Sequence, residues 1–236
     1  MFPIGDDNSD RNIIPVVNYA LIGINILVFV LLQQFGTNEN FTYAFSLVPR
    51  EITTGVDLIR PTVIHDSLGH TGSIPQFAAP LGVYFNILSS MFMHGGIAHI
   101  FGNMLFLFVF GDNLENLIGH IRYAVFYLLC GFAAALGQII LAPDSVIPML
   151  GASGAISGVL GGYILMFPTR PVRAVIFYVF TTVPAYVAIG IWIVYQLVLG
   201  YLTPSSGGGV AYAAHIGGFI AGLVLIKIFA IGRRTS

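Results

Sequence analysis

The stretch MLGASGAISGVLGGYILMF, Met149–Phe167, decides the fold of this chain. It contains no Asp, Glu, Lys or Arg, and at about 1.5 Å per residue it nearly crosses a bilayer core of about 30 Å. Gly154, Gly158 and Gly162 recur every four residues, so on a helix they form one smooth face against which a neighbouring backbone can pack. The stretch therefore predicts a membrane-spanning helix in close contact with other helices.

The composition of the whole chain supports the same class of protein. Of its 236 residues, 56% are hydrophobic and only 8% are charged, whereas a soluble domain needs about 25% charged residues. The net charge of −1 excludes a general nucleic-acid binder, and a single cysteine excludes an intrachain disulfide. We therefore expect an integral membrane protein whose surroundings are the lipid bilayer, with no nucleic-acid partner.

Six apolar stretches are long enough to be helical spans. They cover about 16–32, 84–110, 123–141, 149–167, 175–202 and 211–231. Lys227 is the only charged residue inside these six stretches. It lies close enough to the end of its span for its side chain to reach the membrane–water interface. The pattern predicts an all-α membrane protein, a six-transmembrane-helix bundle that forms a single domain over 1–236 with a short N-terminal segment, 1–15.

Local features refine these spans. Gly95-Gly96 is expected to mark the change from loop to helix in the second span, and Pro184 to separate an irregular or interfacial stretch, 175–183, from the fifth helix proper. The N-terminus is acidic rather than basic, and no small-residue cleavage site follows the first span. We therefore interpret the first span as a retained helix rather than a signal peptide.

The basic residues predict the orientation in the membrane. With six spans both termini lie on one side, and that side collects seven of the nine Lys and Arg residues: Arg11, Arg122, Arg170, Arg173, Lys227, Arg233 and Arg234. Arg50 and Arg60 lie on the other side. Because positive residues accumulate on the cytoplasmic side, we expect both termini in the cytoplasm, a plasma or inner membrane location, and the long loop 33–83 outside.

Polar side chains inside the predicted spans are candidates for function, because hydrocarbon makes an unpaired polar group costly. The second span carries His99 and Asn103, four residues apart and therefore on one helix face. The fourth span carries Ser153 about one turn past its start, and the sixth carries His215 about one turn past Ala211. All three spans run inward from the outside, so the four side chains are predicted to meet near the extracytoplasmic face.

These residues resemble the motifs of the rhomboid family of intramembrane serine proteases. Gly151-Ala152-Ser153-Gly154 resembles the G-x-S-G nucleophile motif, and Ala214-His215-Ile216-Gly217-Gly218 resembles the A-H-x-x-G motif of the last core helix. The resemblance covers the chain from about residue 16 to residue 231. It implies a fold with six core helices and serine endopeptidase activity.

The second helix extends the resemblance. His94, His99 and Asn103 reproduce the family's spacing H-x4-H-x3-N, and the stretch 111–115 resembles the G-x-x-x-E turn that follows. By this resemblance His94 orders the outer loop and Glu115 orders the inner turn.

The resemblance also implies the catalytic roles. Ser153 is the expected nucleophile, and His215 is its general base and later the acid that protonates the leaving amine. His99, Asn103 and the backbone N–H of Ser153 are expected to stabilise the oxyanion. No carboxylate occupies a predicted span, so the expected form is a Ser-His dyad without metal or cofactor.

The implied substrates are single-pass transmembrane proteins, cut in or beside the transmembrane segment. A small residue is expected before the cut and helix-breaking residues after it. The fifth helix, entered through Pro184, and the loop 203–210 are the expected lateral gate and cap. Water is expected to reach Ser153 from outside.

Two departures from the family pattern stand out. Rhomboids often carry an aromatic residue four positions after the nucleophile, stacked on the catalytic histidine, but this chain has Ser157 there. We expect Ser157 to form a hydrogen bond or leave room for water near His215. The outer loop also lacks the Trp-Arg pair of some members, because Trp192, the only tryptophan, lies in the fifth span.

Two other classes of function remain open. A metalloenzyme could use His94, His99 and His215 as ligands, but the chain has no H-E-x-x-H motif and no acid available as a base. A transporter, or a non-catalytic substrate-binding relative, is the other alternative. Inverted repeats are not visible, and catalytically dead relatives are expected to lack Ser153 or His215.

Overall fold

The computed structural model describes residues 2–65, 71–176, 178–202 and 211–233. Its helices are α1 (Val16–Leu27), α2 (Glu39–Ala44), α3 (Pro49–Thr54), α4 (Asn86–Ser89), α5 (Ile97–Ile118), α6 (His120–Leu141), α7 (Ser153–Met166), α8 (Ala185–Leu202) and α9 (Tyr212–Phe229). Its strands are β1 (Phe2–Asp6), β2 (Thr62–His65), β3 (Thr71–Ile74), β4 (Pro171–Ile176) and β5 (Val179–Pro184). The loop 203–210, the expected cap, lies outside the described residues.

The fold is that of a mostly helical membrane protein. Among the described residues, α5, α6, α8 and α9 are long and apolar enough to cross a membrane. Shorter apolar helices cover Val16–Leu32, where α1 continues as a π-helical turn, as well as Val83–Phe92 and α7. Each predicted span therefore overlaps a helix, and four of the six overlap one that is long enough to cross a membrane.

The glycine face of α7 places it at the centre of the bundle. Side chains added at Gly218 and Gly222 of α9 would collide with the carbonyl oxygens of Gly154 and Gly158. A side chain at Gly158 would also collide with the side chain of Cys130 of α6. Close backbone contact with α9 is what the four-residue glycine spacing predicts.

Large aromatic side chains fill the space that the glycines leave. Phe110, Tyr123, Phe126, Tyr127 and Tyr163 are all fully buried in one core between α5, α6 and α7. The rings lie toward the end of α7 that is remote from Ser153, but the same core continues to Ala152 and Ala155 beside it. The core therefore holds the helices together and also packs against the start of α7.

The second predicted span differs from the structure at its inner end. Helix α5 begins at Ile97, after Gly95-Gly96 as expected, but it continues to Ile118 and ends at Gly119, whose φ of 83° terminates the helix. The prediction of a turn at 111–115 is therefore wrong, and so is the prediction that Lys227 is the only charged residue in a span.

The two acidic residues in α5 are tolerated because both have partners. Asp112 is 2.8 Å from an Arg11 guanidinium nitrogen, and Glu115 accepts hydrogen bonds from the backbone N–H groups of Val17 and Asn18. These are the first N–H groups of α1, which have no partner within that helix. Glu115 thus orders the start of α1, whereas the sequence pattern assigned it to a turn.

The stretch before Pro184 is a sheet rather than an irregular segment. Strands β4 and β5 form an antiparallel hairpin, and β1 pairs with the other edge of β4, giving the order β1-β4-β5. Val172 and Ala174 are buried while Arg173 is exposed, which is the alternation of a half-buried strand. Helix α8 begins directly after Pro184, where the sequence placed the helix proper.

The long loop 33–83 carries its own short elements, α2, α3 and the β2-β3 hairpin. Leu47 and Met149 exchange two backbone hydrogen bonds of 2.9 and 2.7 Å, so the loop is tied to the segment just before α7. This contact fixes the backbone that leads into Ser153.

Candidate active site

Ser153 is the first residue of α7, whereas the sequence placed it about one turn into the span. The chain leads into α7 through Gly151, two residues before Ser153. Gly151 has a φ of 127°, and its N–H donates to the Ser90 carbonyl at 2.9 Å. A side chain at Gly151 would come within 2.8 Å of His99 Nε2. Gly151 is therefore required both by its backbone conformation and by the space beside it.

His215 lies in the first turn of α9 and meets Ser153 across the α7–α9 contact. Its Nε2 is 2.7 Å from Ser153 Oγ, and the side chain is buried, with 8% exposed. The close approach of the two helices at Gly154 and Gly218, one and three residues further along, brings the two side chains within hydrogen-bond distance. The structure thus brings together the serine and the histidine that the sequence singled out.

The other ring nitrogen of His215 faces an amide. Gln196 Oε1, on α8, is 2.7 Å from His215 Nδ1, and Gln196 is itself buried. The sequence analysis did not single out Gln196. A signal was available, because Gln196 is the one amide side chain in the apolar stretch of α8 and intramembrane polar residues are candidates for function.

Of the two alternatives expected for Ser157, the hydrogen bond to His215 is not formed. The Ser157 hydroxyl donates instead to the backbone carbonyl of Ser153 at 2.6 Å, the four-residue back-bond common for serine in helices. Two rings approach the imidazole, Trp192 with a centroid distance of 5.9 Å and Tyr212 with 6.4 Å. Trp192 comes from α8, so the same helix supplies both the ring and the amide beside His215.

His99 and Asn103 of α5 supply hydrogen-bond donors next to Ser153. The Gly95 N–H donates to His99 Nδ1 at 3.3 Å, so a neutral His99 carries its proton on Nε2, the nitrogen that faces Gly151. Asn103 Nδ2 is buried and has no hydrogen-bond partner among the described residues. Two N–H donors beside the start of α7 match what a developing oxyanion requires.

His94 has a different environment from that of the other site residues. Its backbone N–H donates to Gln33 Oε1 at 2.9 Å, and its carbonyl accepts from Gln33 Nε2 at 2.8 Å. The His94 ring packs edge-on against His99, with centroids 5.2 Å apart. Among the residues described, no group of three His, Cys, Asp or Glu side chains is arranged to hold a metal ion.

One cavity of about 1080 Å³ lies between α5, α6, α7, α8 and α9, and it is lined by Ser153, His215, Gln196, His99 and Asn103. Its polar groups are few, and apolar side chains such as Phe106, Trp192 and Met149 make up most of the wall. An apolar cavity with a small cluster of convergent polar groups is the usual form of a binding or catalytic site. The arrangement can activate a hydroxyl and stabilise an oxyanion within a helical bundle.

The comparisons with known proteins agree with this geometry. A family model described as Rhomboid domain matches residues 82–231. The chain is 26% identical over 226 residues, 93% of its length, to rhomboid protease GluP of Bacillus subtilis. It is 32% identical over 142 residues, 60% of its length, to RHOMBOID-like protein 4 of Arabidopsis thaliana, and 38% identical over 82 residues, 35% of its length, to inactive rhomboid protein 1 of Drosophila melanogaster.

The aligned segments cover 37%, 33% and 6% of those three relatives, so the chain spans well under two thirds of each. The family match itself extends from the start of the helices that precede α5 to the end of α9. It takes in Ser153, His215, His99 and Asn103 and more than half of the chain. This chain belongs to the rhomboid family of membrane proteins.

Proposed function

We propose that this chain is an intramembrane serine protease that hydrolyses peptide bonds in or beside the transmembrane segments of membrane proteins. The observation that carries the proposal is the 2.7 Å separation of Ser153 Oγ and His215 Nε2 in the wall of a cavity inside the bundle. A hydroxyl within hydrogen-bond reach of a general base is the signature of a nucleophile.

The proposed reaction follows from the positions of four groups. Ser153 Oγ attacks the scissile carbonyl while His215 Nε2 takes its proton, and the negative charge passes to the carbonyl oxygen. His99 Nε2–H, Asn103 Nδ2–H and the Ser153 backbone N–H donate to that oxyanion. The intermediate collapses, the C–N bond breaks, and His215 returns the proton to the leaving amine.

The second half of the reaction repeats these roles with water. His215 removes a proton from a water molecule that attacks the acyl group on Ser153. The tetrahedral intermediate collapses to a carboxylic acid, and the proton held by His215 returns to Ser153 Oγ. We propose a dyad that works without metal or cofactor.

The proposal also includes an arrangement of the helices in the membrane. Six helices span the membrane as a single domain, with α1 and α7 as the two short spans, both termini in the cytoplasm and Ser153 near the extracytoplasmic face. The proposed substrates are single-pass proteins with a small residue before the cut and helix-breaking residues after it. Helix α8 is the proposed lateral gate, which is supported by its limited burial, since only four of its 18 residues are buried.

A non-catalytic substrate-binding role is the second candidate. It is favoured by the 38% identity over 82 residues to a relative named an inactive rhomboid protein. The two candidates differ in one measurable property, because only the protease releases products from a bound substrate.

Cleavage of defined peptides tests the proposal. The purified chain in detergent is mixed with fluorogenic single-pass peptides that carry a small residue followed by Gly-Pro within the apolar segment, and with matched peptides that carry Leu throughout. We expect cleavage of the first set that disappears in Ser153→Ala and in His215→Ala. Binding of the peptides without cleavage by the folded wild type would favour the non-catalytic role.

A further inference from the structure

Helix α8 contacts the bundle in two different ways. Its buried residues in the structure as described are Ala185, Ala188, Ile189 and Gln196. The first three lie in the first two turns and are apolar. Gln196, an amide that is 6% exposed, is the one buried residue of the C-terminal half, and Gly200 lies close to Tyr212 further along the same half.

A buried amide is costly unless it forms hydrogen bonds, and Gln196 meets His215 at the nitrogen remote from Ser153. A neutral imidazole carries one proton, on Nδ1 or on Nε2. A carbonyl oxygen only accepts hydrogen bonds, so Gln196 Oε1 at 2.7 Å stabilises the tautomer with the proton on Nδ1. That tautomer leaves a lone pair on Nε2, which is the form that can accept the Ser153 proton.

The opposite amide orientation would have the opposite effect. With the Gln196 NH2 group facing Nδ1, the imidazole would carry its proton on Nε2 and would donate to Ser153 Oγ instead of accepting from it. The rings of Trp192 and Tyr212 pack beside the imidazole but do not select either tautomer. Ser157 bonds to backbone, so it does not select one either.

We propose that Gln196 is a positioning residue that holds His215 in the Nδ1–H tautomer and so makes Nε2 the base for Ser153. This inference rests on the proposed function. Because Gln196 belongs to α8, the reactive tautomer is coupled to the position of that helix. An outward displacement of the C-terminal half of α8 breaks the amide–imidazole bond and removes the preference for the reactive tautomer.

Three variants on α8 test the assignment. Gln196→Leu has nearly the same volume and cannot accept a hydrogen bond, so we expect kcat to fall by about 10- to 100-fold while KM changes by less than about twofold. Gln196→Glu keeps an acceptor, so we expect kcat within about threefold of wild type. For Gln196→Glu we also expect the acid limb of the pH profile of kcat/KM to move to higher pH, because a carboxylate stabilises the protonated form of His215. Val194→Ala, at an exposed position of the same helix, is the matched control and should behave as wild type.

A spectroscopic readout separates this inference from the proposed function. In ¹⁵N-histidine-labelled protein, the His215 signals, identified by their loss in His215→Ala, should show the Nδ1–H tautomer in wild type and the Nε2–H tautomer or a mixture in Gln196→Leu. The inference is overturned by an Nε2–H tautomer in wild type. It is also overturned by a folded Gln196→Leu variant with the wild-type tautomer and pH profile. If the wild type shows no Ser153-dependent hydrolysis, the proposed function fails, and the tautomer still decides the role of Gln196.

Discussion

His215 Nε2 and Ser153 Oγ lie 2.7 Å apart although 62 positions separate the two residues in the chain. Their separation is set by the backbone contact between α7 and α9, where Gly218 faces the carbonyl oxygen of Gly154. A hydrogen bond of this length tolerates little displacement of either helix. The glycines of the contact therefore influence the dyad without touching it.

Substitution of Gly218 tests that relationship. We expect Gly218→Ala to push α9 away from α7, to lower the free energy of unfolding by about 1–3 kcal/mol, and to lower the cleavage rate at least about tenfold. Gly23→Ala is the control, because its side chain would meet nothing within 4 Å in α1, and it should be neutral or stabilising by up to about 1 kcal/mol. Equal effects of the two substitutions on activity would contradict the account.

Asn103 gives a second prediction, because its buried amide nitrogen lacks a partner among the described residues. We expect Asn103→Ala to lower kcat by about 10²-fold with little change in KM, since the lost donor acts on the oxyanion rather than on the bound substrate. Thermal stability in detergent should stay the same or rise, because the Asn103 side chain forms no hydrogen bond with the residues that the structure describes. A large fall in stability with unchanged kcat would assign Asn103 to helix packing instead.

The pH dependence of stability provides a third prediction, at the far end of α7 from Ser153. Burial raises the pKa of the Asp6 carboxyl from its ordinary value of 3.8 to about 6, although Tyr163 and Asn113 donate hydrogen bonds to it. Between about pH 4 and pH 6, the folded protein therefore binds this proton more tightly than the unfolded chain does. The resulting stabilisation is fully present below about pH 4 and is lost as the pH rises through about 6, a change of roughly 3 kcal/mol.

Asp6→Asn isolates this contribution, because the amide oxygen can still accept from Tyr163 but the side chain does not titrate. We measure Tm in detergent between pH 4 and pH 7 for both proteins. The stability of wild type relative to Asp6→Asn should decline steadily over this range, while the contributions of titrating groups that are remote from Asp6 cancel in the comparison. Parallel curves for the two proteins would show that Asp6 does not titrate in this interval.

The proposed orientation in the membrane gives a fourth prediction. Cys130 is the only cysteine and is fully buried, so the wild type provides an unlabelled background for a membrane-impermeant maleimide. Asn40 and Ser9 are exposed on the segments after and before α1. In intact cells we expect labelling of Asn40→Cys, and labelling of Ser9→Cys only after the membrane is permeabilised. The reverse pattern would invert the topology.

The sequence predicted the parts of this protein that depend on local pattern. The apolar stretches predicted a helical membrane protein, the motifs around Ser153 and His215 predicted the family, and Gly95-Gly96 predicted where α5 begins. Each of these features is carried by neighbouring residues or by residues at helical spacing. The predicted meeting of serine and histidine also followed from the alternation of the helices across the membrane.

The features that the sequence did not predict depend on partners far away in the chain. Strand β4 pairs with β1, in which Phe2 lies opposite Val175, 173 positions away, and strand pairing of that kind has no local signal. The extension of α5 to Ile118 depends on Arg11, which neutralises Asp112, and on the start of α1, whose backbone N–H groups donate to Glu115. These contacts allow charges in a helix that the pattern alone would end earlier.

The most direct test of the central claim is labelling of the purified chain by a fluorophosphonate probe, with the adduct located by mass spectrometry. We expect the wild type to carry the adduct on Ser153, Ser157→Ala to be labelled at the same position, and Ser153→Ala and His215→Ala to remain unlabelled. An adduct on another serine, persistent labelling of Ser153→Ala, or a folded wild type that is never labelled would contradict the claim that Ser153 and His215 form a catalytic dyad.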